Sequence, residues 1–423
     1  MTLSEKDQLY NWHPYTQHKT TGPLPAIVKG EGALLWDDNG KEYIDAIASW
    51  WVNPFGHANK VMAEAIYNQL TTLEHVLFGG FTHNKAVELS EKLLSILPAN
   101  QKRIFYSDNG STAVEVAIKA ALQYNYNQGL KRTKVIAFED AFHGDTFGAM
   151  ASSGITFFTE AFKGSLLEVV RIPVPVAGKE TEALTALTNL VQTNEFAAFI
   201  FEPLVQGAAG MVMYEAGVLD QMIAVCQQNQ VFTIADEVMT GFGKTGKTFA
   251  SDYLQNKPDM LCLSKALTGG TIPMAVTTFT QEIFDGFYDN DVNKALFHGH
   301  TFTANPTGCA AALAAITLLE TPEMQSNIAR INAQHLSFAQ KIKQHPKVKT
   351  TRVQGIIFAL EIKTETNESY YGAMRMKLYN FFIEHGVILR PVGNIVYILP
   401  PYIITTEQLE KVYGIVEQAV DMV

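Results

Sequence analysis

Three short segments set reactive side chains among small residues. Lys265 follows the apolar run Met260–Leu263 and precedes Ala266, Gly269 and Gly270. An amine in that setting is expected to be partly buried, and burial lowers a lysine's pKa enough to make it a nucleophile that forms Schiff bases. A lysine taken alone is more often a solvated surface residue. Asp236, with Glu237 beside it, ends the apolar run Val231–Ala235. A carboxylate there pairs with a cationic ring nitrogen or a metal, or simply ends a solvated turn; no histidine or further carboxylate adjoins it to complete a metal site. The third segment, Asp108-Asn109-Gly110-Ser111-Thr112, joins a short strand to a helix. Gly110 lets the backbone approach a ligand, the helix start presents free N–H groups, and Ser111 adds a hydroxyl, which outlines a phosphate cradle. The same residues also read as an ordinary helix cap.

The 423-residue chain carries 32 Lys and Arg against 42 Asp and Glu, a formal net charge of −10. That balance disfavours nucleic acid and anionic membrane as partners, since both select a basic face. With 47% apolar and 17% charged residues, the composition is that of a globular protein with a sizeable core. At roughly 150 residues per domain, the length allows two or three domains. Cys226, Cys262 and Cys309 lie far apart with no metal-binding spacing, which speaks against a disulfide framework and a structural zinc. The opening segment to Trp12 contains Glu5, Lys6 and Asp7 and lacks an apolar stretch. The longest apolar run, about Cys309 to Leu319, is far short of a membrane span. A soluble, reducing, cytoplasmic setting with no resident metal is expected.

The elements that must hold the reactive segments follow from periodicity. Ala33 to Ile47 reads as a hairpin around Asp38-Asn39-Gly40. Asn84 to Leu97 has helical apolar spacing, with Asn84 as its cap. Arg103 to Ser107 is a short strand, and a helix runs from Ser111 to about Gln128. Lys134–Phe138, Ala197–Phe201, Val231–Ala235 and Met260–Leu263 are short apolar runs separated by helical stretches. That alternation is the signature of a mostly parallel sheet covered by helices, an α/β fold with its ligands at the C-terminal strand ends. A further helix is expected from Pro306 to Leu319. Beyond it, a helix (Met324 to about Gln344), strands (Thr351 to Ile362), a helix (Gly372 to Glu384) and strands (Val387 to Leu399) make a smaller α+β unit. The expected organisation is an N-terminal segment, 1–51, joining that small domain, a large domain over 52–305, and the small domain over 306–423.

A phosphate cradle, an aspartate for a pyridinium nitrogen and a Schiff-base lysine are together the anchors that pyridoxal phosphate requires. Their order along the chain resembles that of fold-type I pyridoxal-phosphate enzymes. Ala141-Phe142-His143-Gly144-Asp145-Thr146 then fits as the loop whose aromatic ring stacks on the cofactor. With that loop, the stretch beginning Glu202-Pro203-Leu204, the stretch from Ala235 to Lys247, and Leu263-Ser264-Lys265-Ala266, the chain resembles class III aminotransferases over nearly its whole length. The resemblance implies that Gly110, Ser111 and Thr112 hold the phosphate and that Asp236 keeps the ring nitrogen protonated. It implies that Lys265 carries the cofactor and moves the proton, while Phe142 and Val238 sandwich the ring. It also implies a homodimer, with His300 and Thr301 reaching the phosphate across the subunit boundary and Gly299 beside the substrate.

Three further segments resemble the biotin-synthesis branch of that class, which aminates 8-amino-7-oxononanoate to 7,8-diaminononanoate. Trp12-His13-Pro14-Tyr15-Thr16 places Tyr15 at the amino-ketone end, in a catalytic and substrate-binding role. Ser49-Trp50-Trp51 would line the acceptor's apolar chain, and Arg390, ahead of Tyr397–Tyr402, would hold its carboxylate. The implied amino donor is S-adenosylmethionine, with lysine as the alternative. Outside the branch, the alternative is an ω-aminotransferase for diamines or β-alanine with pyruvate or 2-oxoglutarate. A pyridoxal-phosphate-binding regulator would need a DNA-binding module, for which there is no room before Ala26 and no basic patch. Four positions depart from the family pattern. Phe142 replaces a tyrosine and loses its hydroxyl; Lys244 replaces an arginine and loses the bidentate fork. The segment Val52–His57 is shorter than usual, and His300 stands where proline is common. All four are expected near the substrate pocket, where they bear on the donor rather than on the cofactor.

Overall fold

Seven strands form the central sheet of the computed structural model, which describes residues 1–364 and 372–423. In chain order they are β1 (Gln101–Ser107), β2 (Lys134–Phe138), β3 (Val169–Ile172), β4 (Phe196–Phe201), β5 (Phe232–Asp236), β6 (Met260–Leu263) and β7 (Ala275–Thr280). Their spatial order is β1-β7-β6-β5-β4-β2-β3. All neighbours from β6 to β3 pair in parallel, whereas β7 runs antiparallel to both β6 and β1. Every residue of β4, β5 and β6 is buried, so these strands are covered on both faces; β4 and β6 are unbroken apolar runs, and β5 admits Thr233 and ends on Asp236.

Two strands of this sheet, β3 and β7, lie outside the sequence reading. The sequence of β7, Ala-Val-Thr-Thr-Phe-Thr, hides a core strand behind threonines. Two of its buried hydroxyls are satisfied internally: Thr277 donates to the Ala113 carbonyl at 2.8 Å and Thr278 to Gln101 Oε1 at 2.6 Å. The helix Asn84–Ile96 forms as expected, but its cap is His83 rather than Asn84. His83 is extended, its Nδ1 accepts the Ala86 N–H at 3.2 Å, and its Nε2 donates to the Ala304 carbonyl at 2.8 Å. One ring thereby satisfies an open helix amide and a distant carbonyl, which an asparagine could not span.

The hairpin of the N-terminal segment pairs Leu34–Asp37 with Glu42–Asp45, and Gly40 in its turn has φ +78°. Val387–Ile388, from near the other end of the chain, pairs in parallel with Glu42–Asp45. Both termini therefore contribute to one small sheet, and Arg390 leaves it beside the segment that carries Ser49 and Trp50. A second small sheet, Val348–Gln354 with Ile357–Ile362 and Ile395–Ile398, is antiparallel throughout. Helix Pro306–Leu319, assigned to the small domain by sequence, packs against helices Lys60–Leu70 and Asn84–Ile96 and against the turn Lys265–Thr268. Among the described residues no helix is long and apolar enough to cross a membrane.

Candidate active site

The C-terminal ends of β1, β5 and β6 deliver the three reactive segments to one cavity of about 940 Å³. Asp236 is the last residue of β5, and Lys265 follows β6 by two positions. Lys265 has φ 50°, a left-handed conformation that costs a non-glycine residue about 1–3 kcal/mol. Burial lowers its amine from the ordinary lysine value to about 8, against the opposing pull of the Asp236 and Glu202 carboxylates. The indole of Trp51 lies 4.6 Å from the amine.

Asp236 and Glu237, adjacent in sequence, part company in space. Asp236 lines the cavity; its Oδ1 accepts the Val238 N–H at 3.1 Å, and its Oδ2 lies 2.7 Å from His143 Nδ1. Glu237 turns into the core, where it accepts the Ala250 and Ser251 amides at 2.9 and 2.6 Å and the Thr240 hydroxyl at 2.8 Å. The first is placed for chemistry and the second ties a loop to the end of β5.

Gly110 and Ser111 begin the 18-residue helix Gly110–Asn127 and line the cavity. The first intrahelical bond runs from the Ala113 amide to the Asn109 carbonyl. The Thr112 amide is taken by the Asn109 side chain at 3.0 Å, and the Thr112 hydroxyl donates to Asp108 Oδ1 at 2.8 Å. Thr112 does not line the cavity; the open amides are those of Gly110 and Ser111. A Cβ on Gly110 would sit 2.7 Å from Val238 Cγ1, so the close approach of helix start to β5 requires glycine there. Gly144, at φ +131°, presses the Phe142 loop onto Ser111 in the same way.

Tyr15, Trp50, Trp51, Phe142, Val238 and Arg390 all line this cavity. Tyr15 donates a hydrogen bond to Asp145 and meets Trp50 edge-on at 5.8 Å. The Arg390 guanidinium lies 4.2 Å from the Trp50 ring. Gly299, His300 and Thr301 are not among the lining residues; Gly299 and Thr301 are exposed. Nor does Lys244 line it: its side chain is fully buried, and its Nζ has no hydrogen-bond partner among the described residues. Burial, reinforced by the charge of Lys265, pushes that amine well below the ordinary lysine range.

Glu202, His143, Phe158 and Arg375 are among the lining residues that had no role from sequence. Glu202, just after β4, accepts the Phe142 and Gly207 amides at 3.0 and 2.9 Å, and burial raises its carboxyl to about 7. His143 holds Asp236, while Phe158 and Arg375 complete the wall. The position of Glu202 directly after the all-apolar strand β4 was the available signal. His143 and Phe158 carried none, because Asp236 and Tyr15, which they meet, are distant in sequence.

The donor set fits pyridoxal phosphate. Open amides at a helix start suit a phosphate, a carboxylate backed by a histidine suits a protonated ring nitrogen, and a buried amine of lowered pKa suits an aldehyde. His143 Nε2, buried and without a partner among the described residues, keeps the Asp236 side of the cavity polar.

The aminotransferase class-III family model matches residues 15–420. Among relatives, the adenosylmethionine-8-amino-7-oxononanoate aminotransferase of Synechococcus elongatus is 42% identical over 418 residues, spanning 97% of this chain and 98% of its own. The protein of that name from Geobacter sulfurreducens is 36% identical, over 100% of this chain and 98% of its own. The crystal structure of the Methanocaldococcus jannaschii protein of that name is similar, with a TM-score of 0.94 at 35% identity, covering 99% of this chain and 98% of the other. An omega transaminase from Pseudomonas jessenii in complex with PMP gives 0.93 at 29% identity, covering 100% and 98%.

Proposed function

The chain belongs to the aminotransferase class-III family, and from that membership we propose that it aminates C7 of 8-amino-7-oxononanoate, with S-adenosylmethionine as donor, to supply 7,8-diaminononanoate for biotin synthesis. It is a pyridoxal-phosphate-dependent transaminase. When bound, that cofactor supplies an aldehyde that captures amines and a ring that draws electrons from the adjoining carbon.

The chain's own residues divide the remaining work. Gly110 and Ser111 hold the phosphate through their amides, and Asp236, steadied by His143, keeps a proton on the ring nitrogen. Phe142 and Val238 flank the ring. Lys265 anchors the cofactor through Nζ; when released, the same nitrogen takes the proton from the substrate carbon that bears the amine and later returns one. A pKa of about 8 leaves it both a competent base and a competent acid near neutrality.

One observation carries the choice of acceptor. Consecutive tryptophans join two cations of the cavity, Trp51 against Lys265 and Trp50 against Arg390. An acceptor with its amino-ketone at one end, its carboxylate at the other and an apolar chain between matches that wall. Arg390 takes the carboxylate, and Tyr15 borders the amino-ketone end. Exposed Phe297 and Phe302, either side of His300 and Thr301, support a homodimer in which that loop reaches the neighbouring subunit's cofactor phosphate. Three cysteines that are free and buried support a cytoplasmic setting.

The test is a half-reaction followed by absorbance on purified holoenzyme. S-adenosylmethionine should bleach the yellow cofactor band, and 8-amino-7-oxononanoate should restore it. Bleaching by lysine alone would move the donor and keep the acceptor. Bleaching by a generic ω-amine with no response to 8-amino-7-oxononanoate would overturn the acceptor.

A further inference from the structure

The two tryptophans stand on a turn that should not form by itself. Ala48, Ser49, Trp50 and Trp51 have φ of 46°, 55°, 106° and 68°, four consecutive left-handed residues without a glycine. L-residues visit this region singly, because Cβ crowds the backbone there, and runs persist only where the surroundings over-determine them.

What over-determines this run is the carboxylate of Asp45, the last residue of the strand Glu42–Asp45, which is completely buried. Its Oδ1 accepts the amides of Ile47 at 3.2 Å and Ser49 at 3.1 Å, and its Oδ2 accepts the Ser49 hydroxyl at 2.9 Å. From the other side, His57 Nε2 lies 2.9 Å from Oδ2, while Asn53 Nδ2 lies 3.1 Å from Nδ1. With Asn53 donating to Nδ1, the ring presents its N–H to Asp45. The histidine backbone is itself fixed, exchanging two hydrogen bonds with Gly32 at 2.7 and 3.1 Å. Gly30 leaves it room: a Cβ there would stand 2.6 Å from the His57 Cβ. The shortened segment Val52–His57 thus returns a histidine beneath the turn.

We propose that Asp45 and His57 are positioning residues for the reaction. They hold the left-handed turn so that Trp51 meets Lys265 and Trp50 backs Arg390, and thereby set where the acceptor carboxylate is received. The role of Arg390 in this proposal rests on the function proposed above; the holding of the turn does not.

Asp45→Asn keeps the shape and loses the charge. Asp37→Asn is the matched control, since Asp37 is also buried and also holds a turn, accepting the Asn39 and Lys41 amides and the Tyr43 hydroxyl, but touches nothing in the cavity. Both variants should lose thermal stability. Only Asp45→Asn should change the near-ultraviolet circular dichroism of the tryptophans in apoenzyme, and in holoenzyme raise the half-saturating concentration of 8-amino-7-oxononanoate by about tenfold or more. If Asp45→Asn does not fold, His57→Gln should show the same pair of changes to a smaller degree. An unaltered tryptophan signal with unaltered acceptor saturation, or equal changes in both aspartate variants, overturns the proposal. An altered tryptophan signal in an enzyme that never accepts 8-amino-7-oxononanoate would leave the clamp standing and sink the acceptor instead.

Discussion

The two sides of the cavity are built in different ways. On the side proposed to hold the cofactor, Asp236, Lys265, Gly110 and Ser111 sit at the ends of central strands or the start of a long helix, within a few residues of regular structure. On the side proposed to hold the substrate, Tyr15, Trp50, Trp51 and Arg390 come from a loop, a strained turn and the exit of a two-residue strand, drawn from both ends of the chain. Strands buried on both faces hold a ligand group with little freedom, which suits chemistry common to every substrate. A wall assembled from irregular segments changes its shape without disturbing that chemistry, which suits selection among substrates.

If that division is right, substitutions on the two sides fail in different ways. Lys265→Ala should reduce turnover by at least about 10⁴-fold with every donor and acceptor, in single-turnover measurements, because it removes the proton-transfer group itself. Asp236→Asn should slow both half-reactions, by about 10²–10³-fold each, since both need the same charge stabilised. A loss confined to one half-reaction would break the comparison. Arg390→Ala belongs to the other side. It should raise the half-saturating acceptor concentration roughly 10- to 100-fold while the cofactor stays bound; unchanged acceptor affinity would refute its role.

The smallest effect is a pH dependence. An amine whose pKa has fallen to about 8 is mostly protonated below that value and neutral above it. The rate at which apoenzyme recaptures pyridoxal phosphate should therefore rise about tenfold between about pH 7 and about pH 9, then level off. A rate still climbing toward about pH 10.5, as for a solvated lysine, would show that the cavity does not desolvate Lys265.

The legibility of the site follows the same division. Lys265, Asp236 and Gly110 were readable because each stands at the end of a strand or within three positions of it, so local pattern and location coincide. Thr112 was placed on the phosphate by the family resemblance, but its amide is taken by the Asn109 cap and its hydroxyl by Asp108. Whether a helix-start residue caps or binds depends on rotamers that composition does not encode. Glu202 is a carboxylate whose partners, the Phe142 and Gly207 amides, lie on two separate loops. β7 escaped because its buried threonines find partners on other elements, which makes a core strand look half-solvated.

Short-range order, therefore, was largely set by the sequence by itself: five of the seven central strands, the helix that follows Asn109, and which lysine and aspartate stand at strand ends. Those features depend on hydrophobic periodicity and on bonds that close within a few residues. Only the tertiary structure decided that Asp236 faces the cavity while Glu237 faces the core, that Lys244 is enclosed away from the substrate wall, and that Asp45 and His57 brace the tryptophans. Each of those outcomes rests on a carboxylate or an amine meeting, or failing to meet, a partner brought from another part of the chain. In a desolvated interior such a meeting determines whether the group is held, charged or left unpaired.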